Sequence, residues 1–215
     1  MKADFHIHTH YSMDCSTKLE DIVDRCRLKG IGCVNICDHD AVRGGVELKA
    51  MAPFKVIVSE EILTPHGEIM GMFLKERIPS GVSVEEAFDR IKEQGGLVCI
   101  PHPFDTYRGL KMEMSELEKL APRIDVIEAF NARSHLLRCY TDAKAFAVRH
   151  DIPVTAGSDS HSAGEIGRTF VEMPDFSGPT DFIAALKLGI LHKQKAGVGV
   201  HLNSTLARIK KSFSK

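Results

Sequence analysis

Histidine and acidic residues stand close together at several points of the sequence. His6 and His8 are separated by one residue, and Asp159 and His161 repeat that spacing late in the chain. Side chains two residues apart on a β-strand project from the same face, so each pair could bind one metal ion. One such pair alone is weak evidence, because a chain of 215 residues with 11 histidines often contains one by chance.

Predicted strands and helices place these clusters in a fold. Strands are predicted over residues 2–8, 32–39, 55–63, 68–74, 97–101, 125–130, 153–157 and 169–173. Helices are predicted to begin at capping boxes in residues 17–20 and 83–86 and at residues 115–118, and to cover residues 42–50, 134–150, 180–188 and 200–215. This alternation is typical of a parallel sheet with crossover helices. A closed or nearly closed β/α barrel and an open doubly wound sheet both fit, although no Gly-rich phosphate-binding fingerprint follows the first strand.

Nitrogen and oxygen ligands follow the ends of five predicted strands. The candidate metal ligands are His6, His8, Asp14, His39, Glu61, His102, Asp159 and His161. In a parallel α/β fold the carboxyl ends of the strands meet on one face, where active sites lie. We therefore expect these side chains to form one shared metal site.

The composition of this set indicates its chemistry. Imidazole and carboxylate ligands without thiolate suit zinc, manganese or iron. The candidates outnumber the ligands of one ion, so two or more divalent ions are expected, bridged by a carboxylate such as Glu61 or Asp159. Two close cations bind phosphate oxygens and lower the pKa of a bound water. The sequence therefore predicts hydrolysis of a phosphate ester by a metal-activated hydroxide at the carboxyl-terminal mouth of a barrel.

The order of these motifs resembles the PHP family (polymerase and histidinol phosphatase domain) over essentially the whole chain. The resemblance is carried by residues 5–10 (FHIHTH), 37–40 (CDHD), 59–62 (SEEI), 100–103 (IPHP), 127–131 (IEAFN) and 157–161 (GSDSH). It implies an α/β fold, namely a distorted (β/α)7 TIM-like barrel, and a metal-dependent phosphoesterase.

The resemblance also implies how the ligands are shared. His6, His8, Glu61 and Asp159 would hold one ion, Asp14, His39 and His161 would hold another, and Glu61 would bridge toward a further ion reached by His102. Asp14 stands where some relatives have histidine. Some relatives carry another histidine on the strand after the glutamate motif, where this chain offers Met70, a weak ligand for these metals. Two or three Mn, Zn or Fe ions are therefore expected.

Arginines near the predicted site are candidates for binding the substrate. Guanidinium groups recognise phosphate through paired hydrogen bonds. Arg133 follows one strand end and Arg168 follows the late Asp-Ser-His motif, so both are expected to bind phosphate. Arg43 and Arg108 lie in loops on the same predicted face.

Histidine and aspartate residues are candidates for proton transfer and catalysis. His10 and His66 could donate a proton to the leaving group or contact the substrate, and we assign His10 to catalysis and His66 to substrate binding. Asp159 and His161 are expected to act in the reaction as well as to bind metal.

Composition sets limits on the class of protein. The chain of 23.8 kDa is expected to form a single domain over residues 1–215. Its net charge of -1, its lack of Trp and its three Tyr leave nucleic acid allowed as a substrate but not favoured. No long apolar run or signal peptide is visible, so a cytoplasmic location without membrane association is expected. The six cysteines form no CxxC pair and are expected to be reduced and mostly buried.

Three functions compete on these observations. The favoured one is a metal-dependent phosphoesterase acting on a small phosphomonoester, a nucleotide or a short oligonucleotide, with phosphatase preferred to exonuclease. The second is a non-catalytic metal- or phosphate-binding regulatory module of the same fold, against which the complete ligand set argues. The third is an amidohydrolase-type C–N hydrolase, although no lysine lies at a strand end to serve as a carboxylated metal bridge. The sequence leaves the oligomeric state open.

Overall fold

In the computed structural model, nine strands of the described residues form one mixed sheet. The structure describes residues 1–134, 136–197, 205, 207–209 and 211. The strands are β1 (Lys2–Ile7), β2 (Ile31–His39), β3 (Lys55–Thr64), β4 (Gly67–Met72), β5 (Leu97–Ile100), β6 (Val126–Asn131), β7 (Val154–Gly157), β8 (Phe170–Glu172) and β9 (Ile190–His192). The helices are α1 (Leu19–Lys29), α2 (Arg43–Met51), α3 (Val84–Glu93), α4 (Met114–Leu120), α5 (Leu137–Arg149) and α6 (Pro179–Lys187), with a 3-10 turn at Ala121–Arg123.

The sheet closes on itself between its first and seventh strands. Its order is β7-β6-β5-β4-β3-β2-β1-β8-β9, so hydrogen bonding along the sheet leaves β7 at one edge. That edge meets β1 through a parallel bridge between Ile7 and Ser160, in which the His8 N–H donates to Ser160 O at 3.0 Å and the Ser160 N–H donates to His6 O at 3.2 Å. The structure thus confirms the predicted distorted barrel rather than an open sheet.

Two features distort the barrel. Among strands β1 to β7, which form the barrel, most neighbours are parallel, but β4 runs antiparallel to both β3 and β5. The hairpin of β8 and β9 continues the sheet beyond β1, to which β8 is antiparallel. The sequence predicts β4 and β8 as strands but not their direction, and it gives no prediction of β9.

Apolar side chains fill the barrel and cover its outer face. Phe5, Cys37, Met70 and Phe130 belong to the interior cluster, which Phe182 of α6 also joins. Two outer clusters lie beneath the helices, one with α1 and α2 and the other with α3, α4 and α5. All six cysteines are buried free thiols, as the sequence predicts.

Local signals explain some helix boundaries and fail at others. At α3 the predicted N-cap is confirmed, since Ser83 Oγ accepts a hydrogen bond from the Glu86 N–H at 3.1 Å, whereas the side chain of Glu86 pairs with Arg90. The box predicted at residues 17–20 is wrong: α1 begins after Lys18 without a side-chain cap, and Thr17 instead pairs with Cys15 and with the His10 N–H.

The structure describes only part of the predicted carboxyl-terminal helix. The helix predicted over residues 200–215 lies mostly outside the described residues, although residues 205, 207–209 and 211 are helical. Within the described part of the chain, no helix has the length and apolar character needed to cross a membrane.

Gly157 allows β7 to approach β1. A Cβ at this position would lie 2.3 Å from His6 Cβ and 2.7 Å from Glu128 Oε1, closer than packed atoms allow. Neither neighbour can yield easily, because both side chains are buried and belong to the barrel mouth.

We therefore predict that Gly157→Ala lowers the free energy of unfolding by about 2 kcal/mol or more, measured by denaturant titration. Gly164→Ala is the control, because a Cβ there meets nothing within 4 Å, and it should change stability by less than about 0.5 kcal/mol. Equal stability of the two variants would contradict this account of the closure.

Candidate metal centre

The ligands predicted from the sequence lie together at the mouth of the barrel, the end at which the parallel strands finish. They are His6 on β1, His8 just after it, Asp14 in the following loop, His39 at the end of β2, Glu61 on β3, His102 after β5, and Asp159 and His161 after β7. Asp14 and His39 are half-buried and the other six are buried. All eight belong to clusters whose donor atoms are close enough to share metal ions.

The deepest group consists of His6, His8, Glu61 and Asp159. The Nε2 atoms of His6 and His8 are 3.2 Å apart, and they lie 3.2 and 3.3 Å from the two carboxylate oxygens of Glu61. Asp159 Oδ1 is 3.7 Å from the first of these nitrogens and 3.6 Å from the second. Two ligands bound at about 2.1 Å from one ion are themselves about 3.0–3.4 Å apart, so this spacing suits a shared ion.

A second group lies closer to solvent and shares His8 with the first. Asp14 Oδ2 is 3.1 Å from His161 Nε2 and 3.5 Å from His39 Nε2. The ring of His8 lies 4.6 Å from that of His39 and 4.3 Å from that of His161, measured between centroids. Three imidazoles around one carboxylate are a ligand set suited to zinc, manganese or iron.

Glu68 completes a third group that the sequence does not reveal. Its carboxylate oxygens lie 3.4 Å from His39 Nδ1 and 3.5 Å from His102 Nε2, and Glu61 lies between these two histidines. Because β4 is antiparallel, its amino-terminal end reaches the mouth, and Glu68 stands there. Met70, the residue that the resemblance places in a ligand position, lies two residues deeper among the apolar side chains of the interior.

The donor atoms fit divalent ions. Asp14 Oδ1 is buried without a hydrogen-bond partner among the described residues, and Glu61 Oε1 lies 3.2 Å from His6 Nε2 and 3.3 Å from His102 Nε2 without hydrogen-bond geometry. Such buried carboxylate oxygens are costly unless a cation compensates them. Burial opposes ionisation of Glu61, but the imidazoles of His6, His102 and His8 outweigh it and hold the pKa of this carboxyl well below its usual range. Burial and the charge of Glu61 raise the pKa of Glu68.

The same charges act on His39. Burial would lower the pKa of this ring, yet its hydrogen bond to Asp14 and the charges of Glu61 and Glu68 raise it to about 10. The mouth therefore gathers negative charge that attracts cations, and divalent ions can take the place of protons on its imidazoles.

Neighbouring polar groups fix the orientation of the histidines. His6 Nδ1 pairs with Glu128 Oε1 at 3.0 Å, while Glu128 Oε2 accepts hydrogen bonds from the His102 N–H and from Asn131. His8 Nδ1 lies 3.0 Å from Ser12 Oγ. An acceptor at the second ring nitrogen leaves Nε2 free to bind metal, as in carboxylate–histidine–metal arrangements. Glu128 belongs to one of the sequence motifs, but its role becomes visible only in the three-dimensional pairing with His6.

Three of the five non-glycine residues with a positive φ in the described part of the chain lie at the mouth. His102 has a φ of 29°, Asp159 of 51° and Asp40 of 57°, values that residues other than glycine rarely adopt. Two of these residues belong to the ligand clusters, and Asp40 lines the adjacent cavity. Such strain is often found where a fold holds side chains in a functional geometry.

A cavity of about 410 Å³ opens above the ligands. Three arginines line it: Arg108, Arg133 and Arg208. Arg108 is bonded to Asp159 and lies 3.3 Å from Asn131 Oδ1, so it stands directly over the ligands. Arg133 is buried against Glu165 at 3.0 Å. The sequence places Arg108 on this face without indicating its role.

The other predicted site residues lie outside the lining of this cavity. Arg168 donates to the carbonyl of Gly164 at 3.3 Å, and His66 lies in the turn between β3 and β4, where its Nδ1 is 3.2 Å from Lys111 O. His10 is half-buried, with its ring against Tyr11. Because β1 ends at Ile7, the alternation of side chains along a strand does not place His10 on the face of His8.

Comparison with known proteins identifies the family. A family model described as PHP domain matches residues 4–146, and a second, described as PHP-associated, matches residues 141–190. The chain belongs to the PHP family. An uncharacterized protein of Methanocaldococcus jannaschii is 32% identical to it over 198 residues, which cover 87% of this chain and 80% of that protein.

Solved structures share the PHP fold of this chain. A two-domain protein from Bacteroides vulgatus, described as containing a predicted PHP-like metal-dependent phosphoesterase, has a TM-score of 0.71 at 19% identity, covering 98% of this chain and 69% of that one. An amidohydrolase from Chromobacterium violaceum, with bound sulfate and no metal, has a TM-score of 0.60 at 17% identity, covering 77% and 89%. At these identities the likeness concerns the fold. Together with the ligand clusters, PHP membership supports a hydrolase that uses divalent metal ions.

We predict that Glu128→Gln weakens metal binding by about 10- to 100-fold, because the amide cannot hold His6 Nδ1 as a carboxylate does. Competition with a chromophoric chelator measures the affinity. Glu172→Gln is the matched control, since Glu172 is exposed and pairs with His192 away from the mouth. An unchanged affinity for Glu128→Gln would show that Glu128 does not orient a ligand.

Proposed function

We propose that this PHP protein is a phosphatase that hydrolyses a small phosphomonoester with two or three divalent ions of Mn, Zn or Fe. One observation carries the proposal: the imidazole and carboxylate clusters lie at the floor of a cavity whose walls bear arginines. Cations below and guanidinium groups at the side are the environment that a phosphate dianion requires.

The residues at the mouth would bind the metal ions that the reaction needs. The eight residues predicted from the sequence, joined by Glu68, would hold the ions. Bound divalent ions supply Lewis-acid stabilisation of phosphate oxygens and lower the pKa of water. Glu61 faces His6, His8, His39 and His102, so it is the carboxylate placed to be shared between ions.

Arginines would bind and orient the phosphate. Arg108 reaches over the floor of the cavity, and its contact with Asp159 holds the guanidinium beside the ligands. Arg133 is kept in place by Glu165. Charge on the equatorial oxygens increases in the transition state, and fixed guanidinium groups stabilise it without reorganisation.

The size of the cavity supports a small substrate. A volume of about 410 Å³ lies in the range of small-molecule sites, and the lining side chains come from strand ends and loops around the mouth. Exonuclease action is the alternative within the same chemistry, and hydrolysis of a phosphodiester tests it.

The remaining sequence assignments stay predictions. We keep His10 as a proton donor, Asp159 and His161 as participants in catalysis, and Arg168 and His66 as substrate contacts. For Arg168, His66 and His10, these roles require either a substrate that extends beyond the cavity described above or loops that move toward it, because none of the three residues lines the cavity.

We predict metal-dependent release of p-nitrophenol from p-nitrophenyl phosphate by the metal-stripped protein when Mn²⁺, Zn²⁺, Fe²⁺ or Mg²⁺ is restored. His8→Ala and Asp159→Ala should each reduce turnover by roughly 10³-fold or more, since each removes a ligand of the deepest group. Bis(p-nitrophenyl) phosphate should be hydrolysed more slowly, as expected for a phosphatase.

His192→Ala is the control, because His192 lies on β9 and pairs with exposed Glu172. Its turnover should equal that of the parent protein. Preference for the diester would move the assignment to a phosphodiesterase or exonuclease. Stoichiometric metal binding without turnover of either ester would overturn the phosphatase proposal in favour of a binding module or a different scissile bond.

A further inference from the structure

Residues close to the carboxyl end of the chain form part of the cavity wall. Lys211 Nζ donates hydrogen bonds of 2.5 Å to the carbonyl oxygens of His10 and Ser12, in the loop after β1. Ala207 is buried, and Arg208 Nη2 lies 3.5 Å from the sulfur of Met13. These contacts hold Arg208 at the rim, where it lines the cavity above the metal ligands.

Arg208 differs from the other two arginines of this cavity in the groups that surround its guanidinium charge. Arg108 is bonded to Asp159, and Arg133 is paired with Glu165. Arg208 makes no salt bridge to a carboxylate within the described part of the chain, and its guanidinium group contacts the thioether of Met13. The nearby carboxylate of Asp14 is engaged by His161 and His39 instead.

The position of Arg208 separates it from the phosphate that reacts. Most of the ligands that would surround the scissile phosphate are buried at the floor, whereas Met13 beside Arg208 is half-exposed at the rim. Arg108 already covers the floor from the loop after β5. A guanidinium group at the rim is therefore placed to meet a part of the substrate beyond the ester bond.

We propose that Arg208 binds a second anionic group of the substrate, so that the preferred substrates are phosphomonoesters that carry a further phosphate or carboxylate. This inference rests on the proposed phosphatase function. Lys211 acts as a positioning residue, because its two hydrogen bonds fix the segment that presents Arg208. A guanidinium group binds phosphate or carboxylate with the same paired geometry, so the chemistry covers both.

A matched series of substrates tests the proposal. Straight-chain alkanediol monophosphates and bisphosphates, from propanediol to hexanediol, differ in the second anion and in the distance at which it lies, and each bisphosphate gains a statistical factor of about two from its two equivalent esters. The readout is the ratio of kcat/KM for each bisphosphate to that for its monophosphate, from phosphate release by the metal-loaded protein. At the chain length that fits, the parent should favour the bisphosphate by roughly tenfold, the scale of one charge-assisted hydrogen bond.

Variants assign that preference to Arg208. Arg208→Gln should bring the ratio down to about the statistical value of two through a higher KM for the bisphosphate, and Arg208→Lys should retain part of the preference. Lys211→Met should also raise this KM without lowering kcat, and Lys211→Arg should restore it. Arg138→Gln is the control, because Arg138 is exposed on α5 and pairs with Asp142, and it should leave the ratio unchanged.

The outcomes separate the two proposals. If the parent hydrolyses neither series, the phosphatase function itself fails. If the parent hydrolyses both but no chain length gives a preference beyond the statistical factor, or if Arg208→Gln keeps the preference, the role of Arg208 is wrong while the phosphatase function stands. Metal content and thermal unfolding of each variant, compared with the parent, exclude loss of fold as the cause.

Discussion

The meeting of β7 with β1 is the constraint on which the rest of the site depends. Along the hydrogen-bonded sheet these strands are separated by all the other barrel strands, so an open sheet would keep their ligands far apart. The bridge between Ile7 and Ser160 brings His6 and His8 next to Asp159 and His161. Gly157 makes this approach possible because it has no side chain to collide with His6. Closure of the barrel therefore also brings together the residues of the candidate metal centre.

The second determinant is the balance of charge at the mouth. Buried carboxylates that face one another are unfavourable unless positive charge compensates them. Glu61 is surrounded by imidazoles, and Asp159 is held ionised by Arg108, which keeps the pKa of its carboxyl well below its usual range despite burial. Within the described residues, one carboxylate oxygen of Glu61 and one of Asp14 are buried without a hydrogen-bond partner, which makes them candidate ligands for a cation. The fold thus holds, at the mouth above the apolar interior, a cluster of side chains whose charge favours the binding of divalent ions.

The sequence is sufficient to predict those parts of the site that follow from regular strands. The ends of parallel strands meet on one face, and this rule alone predicts that His39, Glu61 and His102 lie together. The rule does not predict Glu68, because it applies only to parallel strands and β4 is antiparallel. The direction of β4 depends on strand pairing that the local sequence does not encode. Strand alternation does not place His10 beside His8, because β1 ends at Ile7. The position of Arg208 depends on long-range packing against the loop after β1, for which the sequence gives no local signal.

Anomalous diffraction from crystals of the protein loaded with Mn²⁺ tests the existence of this metal centre most directly. Two or three manganese peaks are expected at the barrel mouth, each at bonding distance from the imidazoles and carboxylates described above, with Glu61 shared between ions and Glu68 among the ligands. Peaks confined to surface carboxylates, or a mouth without manganese at saturating metal, would contradict the assignment.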